Sequence, residues 1–527
     1  MTPSEPALST LALPPWIAAA VPAAFAVGAV AVAVDRGEPA RGWRTARFAT
    51  VVAALGAVAA AADVGGLGPA TLPQAVLLGL VALLGLVLVR FSASYLAGEV
   101  GERRFAGWLL ATLAGASFVL VTDDLLQLCL GWLATSLSLQ RLLTFYPDRP
   151  GALIAAREKF LVSRAADLCM TIAVVLLGTG LGTLSLRTIG EMATAGELPP
   201  SARIAMVFVA AAALLKCAQL PVQRWLLGIM EAPTPVSALL HAGVVNLGGF
   251  VLIRLGAALV DAPVAQWVLV LVGGTTAAFA ALAAGAQGSV KRSLAWSTCA
   301  QMGFLMVQCG LGAFEMALLH LVAHSAYKAH AFLGAGSVVA KNAALAALPL
   351  RTVTPSPTRL LLAGCAALAL VAAAFASVMP HAFGDPAAVV GGVVVAFALA
   401  ALFAHADDAA GGDRRRAASA LLMLATWVLL HDVLRAAMDL PPHSGASWSL
   451  ALAALLAMAP LPLLRTLQWL APQHPLLPSL RVFCQRGGFV GPWFTAVALR
   501  TWRVPPLDHA AARTPDLRSA LRLRGDS

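Results

Sequence analysis

Charge is what this chain has least of. Only 12% of its 527 residues are Asp, Glu, Lys or Arg, where soluble domains carry about 25%. A soluble protein of this length would have too little polar surface to cover its core. The composition therefore excludes a soluble enzyme, a disordered chain and a nucleic-acid binder. Cysteine is sparse and scattered, at positions 129, 169, 217, 299, 309, 365 and 484. No two stand as CxxC, which argues against a zinc or iron–sulfur site and against a disulfide framework. They read as small apolar fillers. No phosphate-binding loop, dinucleotide fingerprint or haem ligand set is present, so no catalytic site of its own is visible. Lysine is rare too: five residues (159, 216, 291, 328, 341) against 31 arginines.

What remains is apolar. Hydrophobic residues make up 60% of the chain and mean hydropathy is +0.83. About twenty apolar residues cross the hydrocarbon core as a helix. Such runs lie near 13–34, 48–65, 74–96, 106–121, 124–145, 160–180, 204–229, 235–258, 264–286, 293–312, 316–340, 359–378, 388–404, 417–437 and 447–470. The expectation is an all-α polytopic membrane protein of about fifteen spans. The first run has no basic residue before it, so it reads as a span and not as a cleavable leader.

Loop charges give the orientation. With the N-terminus outside, the inner loops carry eighteen basic residues, among them Arg36, Arg103, Arg141, Lys159, Lys291, Lys341, Arg351 and Arg414. The outer loops carry Arg187 and Arg203. That bias is what the positive-inside rule demands, and it predicts an inner C-terminus. The formal charge of +11 thus reflects a basic inner face. The tail, with Arg481, Arg486, Trp493, Phe494, Arg500 and Trp502, reads either as an interfacial segment or as a docking surface for a cytosolic partner.

Two lysines stand where a cation is expensive. Lys216 and Lys328 each fall twelve residues into a predicted span, about 18 Å deep at about 1.5 Å per residue. Placing lysine there costs roughly 2.5–3.5 kcal/mol. A buried lysine releases its proton and an arginine does not. A chain that uses Arg elsewhere but Lys at these depths points to titration, with a structural ion pair or snorkelling as the bland alternative. His320, His324 and Lys328 repeat at i, i+4 and i+8, along one stripe of one helix. Imidazole passes protons near neutral pH. Satisfied core histidines and a metal pair are the rival readings, and no nearby acid or third ligand is evident. His241 follows Pro233-Thr234-Pro235, a clean helix start. Pro221, five residues after Lys216, is expected to break its span and free a backbone carbonyl, with a packing kink alone as the alternative. Arg164 and Asp167, at i and i+3, could pair with each other, or Asp167 could answer Lys216.

These stretches resemble a known family. Lys216-Cys-Ala-Gln-Leu-Pro-Val-Gln-Arg-Trp225 and Pro233-Thr-Pro-Val-Ser-Ala-Leu-Leu-His241 are similar to the antiporter-like membrane subunits of respiratory complex I and of Mrp cation/proton antiporters. So are Val290-Lys-Arg-Ser-Leu-Ala-Trp-Ser-Thr298 with Gln301-Met-Gly303, His320-Leu-Val-Ala-His324, and Lys328 before Phe332-Leu-Gly-Ala-Gly-Ser337. The likeness covers residues 110–340. It implies two inverted five-helix repeats with broken helices, here 106–258 and 259–404. Around them lie N-terminal helices 1–105, C-terminal helices 405–470 and a basic tail 471–527. It also implies a proton pathway of Lys216, His241, His320, His324 and Lys328, with Arg164 and Asp167 at the polar end of the sixth helix.

Two departures stand out. The complex I pattern places a glutamate after Gly-Trp in the fifth helix, and here Leu133 follows Gly131-Trp132. After Lys341 there is no lysine, and His381 and Asp385 are the nearest polar residues. With Leu142-Leu-Thr-Phe-Tyr-Pro-Asp-Arg-Pro150 and Lys159-Phe-Leu-Val-Ser-Arg164, these features look more like the membrane subunit of the DAB inorganic-carbon complex. That resemblance implies a DabA-type cytoplasmic partner similar to β-carbonic anhydrases, a bacterial inner-membrane location, and ion flow driving CO2 hydration. Zinc is expected in that partner, and no cofactor or metal in this chain. The competing expectations are a respiratory or Mrp-type subunit and a passive anchor.

Overall fold

The computed structural model describes residues 16–62, 72–338, 356–404, 412–438 and 445–501. Lys341, Arg351 and Trp502, and the ends of the first, second and eleventh predicted spans, lie outside them.

The described chain is helical. It runs α1 (Trp16–Val34), α2 (Pro39–Ala62), α3 (Leu72–Tyr95), α4 (Glu102–Val121), α5 (Leu125–Leu143), α6 (Pro150–Leu181), α7 (Leu186–Thr194) and α8 (Pro200–Lys216). It continues with α9 (Arg224–Gly228), α10 (Thr234–Ala242), α11 (Leu247–Arg254), α12 (Gly256–Val260), α13 (Pro263–Ala286), α14 (Val290–Gly310) and α15 (Phe314–Leu333). The rest is α16 (Pro357–Ser377), α17 (Pro386–Ala404), α18 (Gly412–Ala437), α19 (Trp448–Met458), α20 (Pro460–Leu470), α21 (Leu476–Gln485) and α22 (Val490–Thr501).

Among the described residues, eleven helical stretches are long and apolar enough to cross a membrane. The expected count of fifteen is not reproduced. The four predicted spans missing from the eleven fall on α5, α8, α14 and α15. Of those four, α15 carries His320, His324 and Lys328, and α8 ends on Lys216.

Local chemistry sets the boundaries. Asp124 caps α5, its side chain accepting from the Gln127 N–H at 2.9 Å. Pro150 opens α6, and Gly182 closes it in the left-handed region at φ +67°. At 32 residues α6 is about 48 Å long, more than the hydrocarbon thickness of about 30 Å, so its first turns carry charge. Two helices are interrupted. One stops at Lys216, and residues 217–223 leave the helix around a cis Leu220–Pro221 bond before α9. The other stops after Ala242 and resumes at Leu247 beyond a 3-10 turn, Val244–Asn246.

Contacts between helix ends group as an up-and-down alternation requires. Arg103 donates to the Asp35 carbonyl, Arg149 to the Glu231 carbonyl at 3.0 Å, and Lys291 to Thr234 Oγ1 at 3.0 Å. These ends belong to one face. At the other, Arg254 meets Asp123 at 3.2 Å and Arg203 meets Asp261 at 3.1 Å. The tail folds back on the first face: Thr495 donates to Glu158 at 2.6 Å, and Gln485 to the Ala286 carbonyl at 3.1 Å. Cys484 and Phe494 join the main core. The α13–α14 crossing is close because both contact points are glycine. A Cβ on Gly303 would stand 2.6 Å from the Gly273 carbonyl oxygen.

Candidate functional site

The break after α8 ends that helix on Lys216, so this lysine lies at an interruption and not in mid-helix. Its Nζ stands 3.1 Å from Asp167 Oδ1. The other oxygen of Asp167 holds Arg164 at 2.7 Å. Asp167 therefore answers both cations, one oxygen each, which settles the two pairings that sequence left open. The Trp132 ring lies beneath the ammonium, 5.0 Å from its centroid. The complex I pattern has a glutamate where Leu133 stands; here the carboxylate that meets the lysine comes from α6 instead.

Lys159 joins this cluster. Sequence reasoning counts it as a loop charge, but it is 4% exposed in the third turn of α6. Its Nζ donates to the Ser136 carbonyl at 2.6 Å and to Ser136 Oγ at 3.0 Å. A cavity of ≈ 20 Å³ is lined by Lys159, Lys216, Trp132 and Ser136, and by Leu240 and Val244 from across the second break. That is room for about one water molecule. A signal for Lys159 did exist: it is another lysine, opening an apolar run, in a chain that otherwise uses arginine.

The second interruption builds the next station. Stopping the helix after Ala242 frees carbonyls: His324 Nε2 donates to the His241 carbonyl at 3.2 Å, and Asn246 Nδ2 to the Ala242 carbonyl at 3.1 Å. His241 is fully buried, stacked on Phe332 at 4.3 Å, with Nδ1 3.0 Å from Thr298 Oγ1. Its Nε2 has no hydrogen-bond partner among the described residues. Sequence reasoning missed this break because no proline marks it.

Lys328 is fully buried in α15. Its Nζ donates to the Leu294 carbonyl at 2.9 Å and to Ser297 Oγ. Among the described residues it has no ion-pair partner, unlike Lys216. The stripe runs on through His324 to His320, with ring centroids 6.0 Å apart. His320 Nδ1 meets Gln308 Oε1 at 2.7 Å. The structure thus brings the seven expected residues into two groups: Arg164, Asp167 and Lys216 around the first break, and His241, His320, His324 and Lys328 around the second. No cluster of three or more His, Cys, Asp or Glu suited to a metal is found among the described residues.

Chemically, both groups are built of side chains that can bind and release a proton. A lysine held by a single carboxylate that is shared with an arginine can exist charged or neutral. Backbone carbonyls, hydroxyls and imidazoles then offer successive partners for a proton.

Residues 122–376 match the proton-antiporter family described as NADH:quinone oxidoreductase/Mrp antiporter, TM. Lys216 and Lys328 both fall within the matched residues of this multi-pass membrane protein. Its relatives narrow the likeness. The chain is 46% identical over 298 residues to "Probable inorganic carbon transporter subunit DabB" of Hydrogenovibrio crunogenus, covering 56% of this chain and 57% of that protein. It is 42% identical over 287 residues to "Probable inorganic carbon transporter subunit DabB2" of Halothiobacillus neapolitanus, covering 54% and 51%. It is also 34% identical over 266 residues to "NADH-quinone oxidoreductase subunit L" of Escherichia coli, covering 50% and 43%. The chain spans about half the length of the curated relatives it matches. Among solved structures, the Mrp complex of Dietzia shares the fold at TM-score 0.54 and 23% identity, covering 96% of this chain and 58% of that one.

Proposed function

We propose that this chain is the membrane subunit of an energy-coupled inorganic-carbon pump, and that it conducts protons or Na⁺ through the Lys216 and Lys328 stations. The observation that carries this reading is the pair of buried lysines at two helix breaks, one ion-paired through Asp167 and the other donating to the Leu294 carbonyl and Ser297 Oγ. The 46% identical DabB relative supports inorganic carbon as the cargo of the complex. In this reading a cytoplasmic zinc subunit of DabA type, similar to carbonic anhydrases, sits on the basic face and hydrates CO2 to bicarbonate. The N-terminus faces the periplasm and the C-terminus the cytoplasm of a bacterial inner membrane. A charge crossing the membrane yields about 2.3 kcal/mol per 100 mV, which a partner can use to make hydration one-way. The chain itself supplies no hydration chemistry.

The likeness to NADH-quinone oxidoreductase subunit L favours a second reading, a subunit of a respiratory or Mrp-type complex. Purification from native membranes separates the two. Recovery of one zinc-containing cytosolic partner is expected. Recovery with quinone-reducing or several antiporter-type subunits, and no zinc protein, refutes the pump.

A further inference from the structure

The last two described helices are tied to the membrane part at two points, and each point lies beside one lysine station. The first is on α22. Thr495 Oγ1 donates to Glu158 Oε1 at 2.6 Å, and Arg224 Nε donates to the same oxygen at 3.0 Å. Glu158 is 1% exposed and directly precedes Lys159 on α6. Arg224 opens α9, where the chain re-enters a helix after the break that ends α8 on Lys216. One carboxylate oxygen thus gathers the tail, the turn of α6 that carries Lys159, and the far side of the Lys216 break. Gly491 brings the α22 backbone close: a Cβ there would stand 3.0 Å from Arg224 Nη1.

The second point is the turn between α21 and α22. A Cβ on Gly487 would stand 3.0 Å from the Trp296 ring. Phe279 stands edge-on to both Trp296 and Phe483, with centroids 5.7 Å apart in each pair. Trp296 lies on α14 between Leu294 and Ser297, the two residues whose oxygens hold Lys328. Gln485 adds its bond to the Ala286 carbonyl at 3.1 Å. The α21–α22 hairpin is therefore one piece of chain with a leg beside each station.

The rest of its surface is basic and aromatic. No Asp or Glu occurs between 471 and 501, and Arg481, Arg486 and Arg500 are exposed. Phe489 is 52% exposed and Trp493 64%. Phe489 follows Gly487 and Gly488 as the third consecutive residue in left-handed backbone, at φ +62°, +68° and +60°. A bulky side chain rarely adopts that region. Its ring meets Phe483 at 6.1 Å, and the Arg486 guanidinium lies 5.7 Å from its centroid. A lipid surface is fluid and selects no fixed shape. A knob held like this fits a protein pocket, apolar at the floor for the ring and acidic at the rim for the arginines.

We propose that the α21–α22 hairpin seats the cytosolic subunit, whose acidic-rimmed apolar pocket takes Phe489 and Arg486, and that it links that subunit to both lysine stations through Thr495–Glu158 and Gly487–Trp296. Thr495 is then a positioning residue: it carries no proton along the path. The assignment rests on the conduction reading above and on the orientation that puts this face in the cytosol, so its test has readouts that do not need proton flow.

The complex is purified from native membranes. The Arg486→Glu/Phe489→Ala variant should lower recovery of the cytosolic subunit at least about tenfold, as for removal of a central interface anchor. Recovery equal to wild type overturns the seat. Fluorescence gained in Phe489→Trp and quenched by brominated phospholipid assigns the knob to the bilayer and overturns it too. Thr495→Ala loosens one leg only. The subunit should stay bound, while deuterium exchange rises around Lys159 and also around Trp296, at the other leg. Thr495→Ser, which keeps the hydroxyl, should exchange like wild type. A rise confined to the Lys159 side overturns the link. In proteoliposomes and cells, the Thr495→Ala ratio of proton uptake to carbon accumulated should rise about tenfold, within the ordinary range of coupling between distant sites. An unchanged ratio overturns the link and leaves conduction standing. No uptake by the wild type overturns conduction, and the exchange pattern then decides the link alone.

Discussion

Asp167 holds two cations, and its removal exposes how much the first lysine depends on it. Its carboxylate is 3.1 Å from Lys216 and 2.7 Å from Arg164, with side-chain exposures of 15% for Asp167 and 13% for Lys216. At an effective dielectric constant of about 20, the Lys216 pair alone is a gross attraction of about 5 kcal/mol. Breaking a buried pair from one side costs about 3–5 kcal/mol, because the partner is left charged and unpaired. In Asp167→Asn the arginine keeps its charge, so the charged state of Lys216 becomes harder to reach by that amount. At about 1.4 kcal/mol per factor of ten, conduction through the charged lysine should fall by about two to three and a half powers of ten. The assay is the initial rate of potential-driven proton uptake by the complex in vesicles, with assembly checked by size exclusion. Lys216→Met and the Asp167→Asn/Lys216→Met double variant complete a cycle. The single variants should each remove the flux, and the double should do no further damage. An Asp167→Asn complex that assembles and retains uptake within about threefold of wild type, less than 1 kcal/mol on the same scale, would show that conduction does not depend on the Asp167–Lys216 pair.

Lys159→Met should reduce proton uptake while preserving assembly, because Lys159 lines the same small cavity as Lys216; unchanged uptake would return it to a structural role. Gly303→Leu should destabilise the α13–α14 crossing by at least about 1–3 kcal/mol, seen as a lower Tm in detergent, since even a Cβ would press on the Gly273 carbonyl. Thr495→Ala removes a 2.6 Å bond to a carboxylate worth about 1.5–3 kcal/mol. The tail should then be cut faster by protease at the α21–α22 turn, and equal cleavage rates would show that Thr495 does not anchor it.

Much of this was legible in the sequence because single residues carried it. Apolar runs located the helices, Pro221 marked the first break, and the i, i+4, i+8 spacing put His320, His324 and Lys328 on one stripe. Three features were not legible, each for a physical reason. The second break turns on Gly243 and a 3-10 turn, with no proline to announce it. Lys159 sits in a helix that extends well past the apolar run, so its depth depends on how α6 packs against Ser136. Glu315, Asp385, His431 and Arg435 are distant in sequence, and only the packing of α15, α17 and α18 brings them together. Asp385 could be noticed in the sequence but not matched to its partners.

The most direct measurement is proton uptake by vesicles holding the assembled complex with Lys216→Ala or Lys328→Ala. If the buried lysines relay protons, each substitution alone abolishes uptake and, in cells that depend on the complex, carbon accumulation, while the subunits still purify together. Uptake and accumulation at wild-type rates in both variants would contradict it.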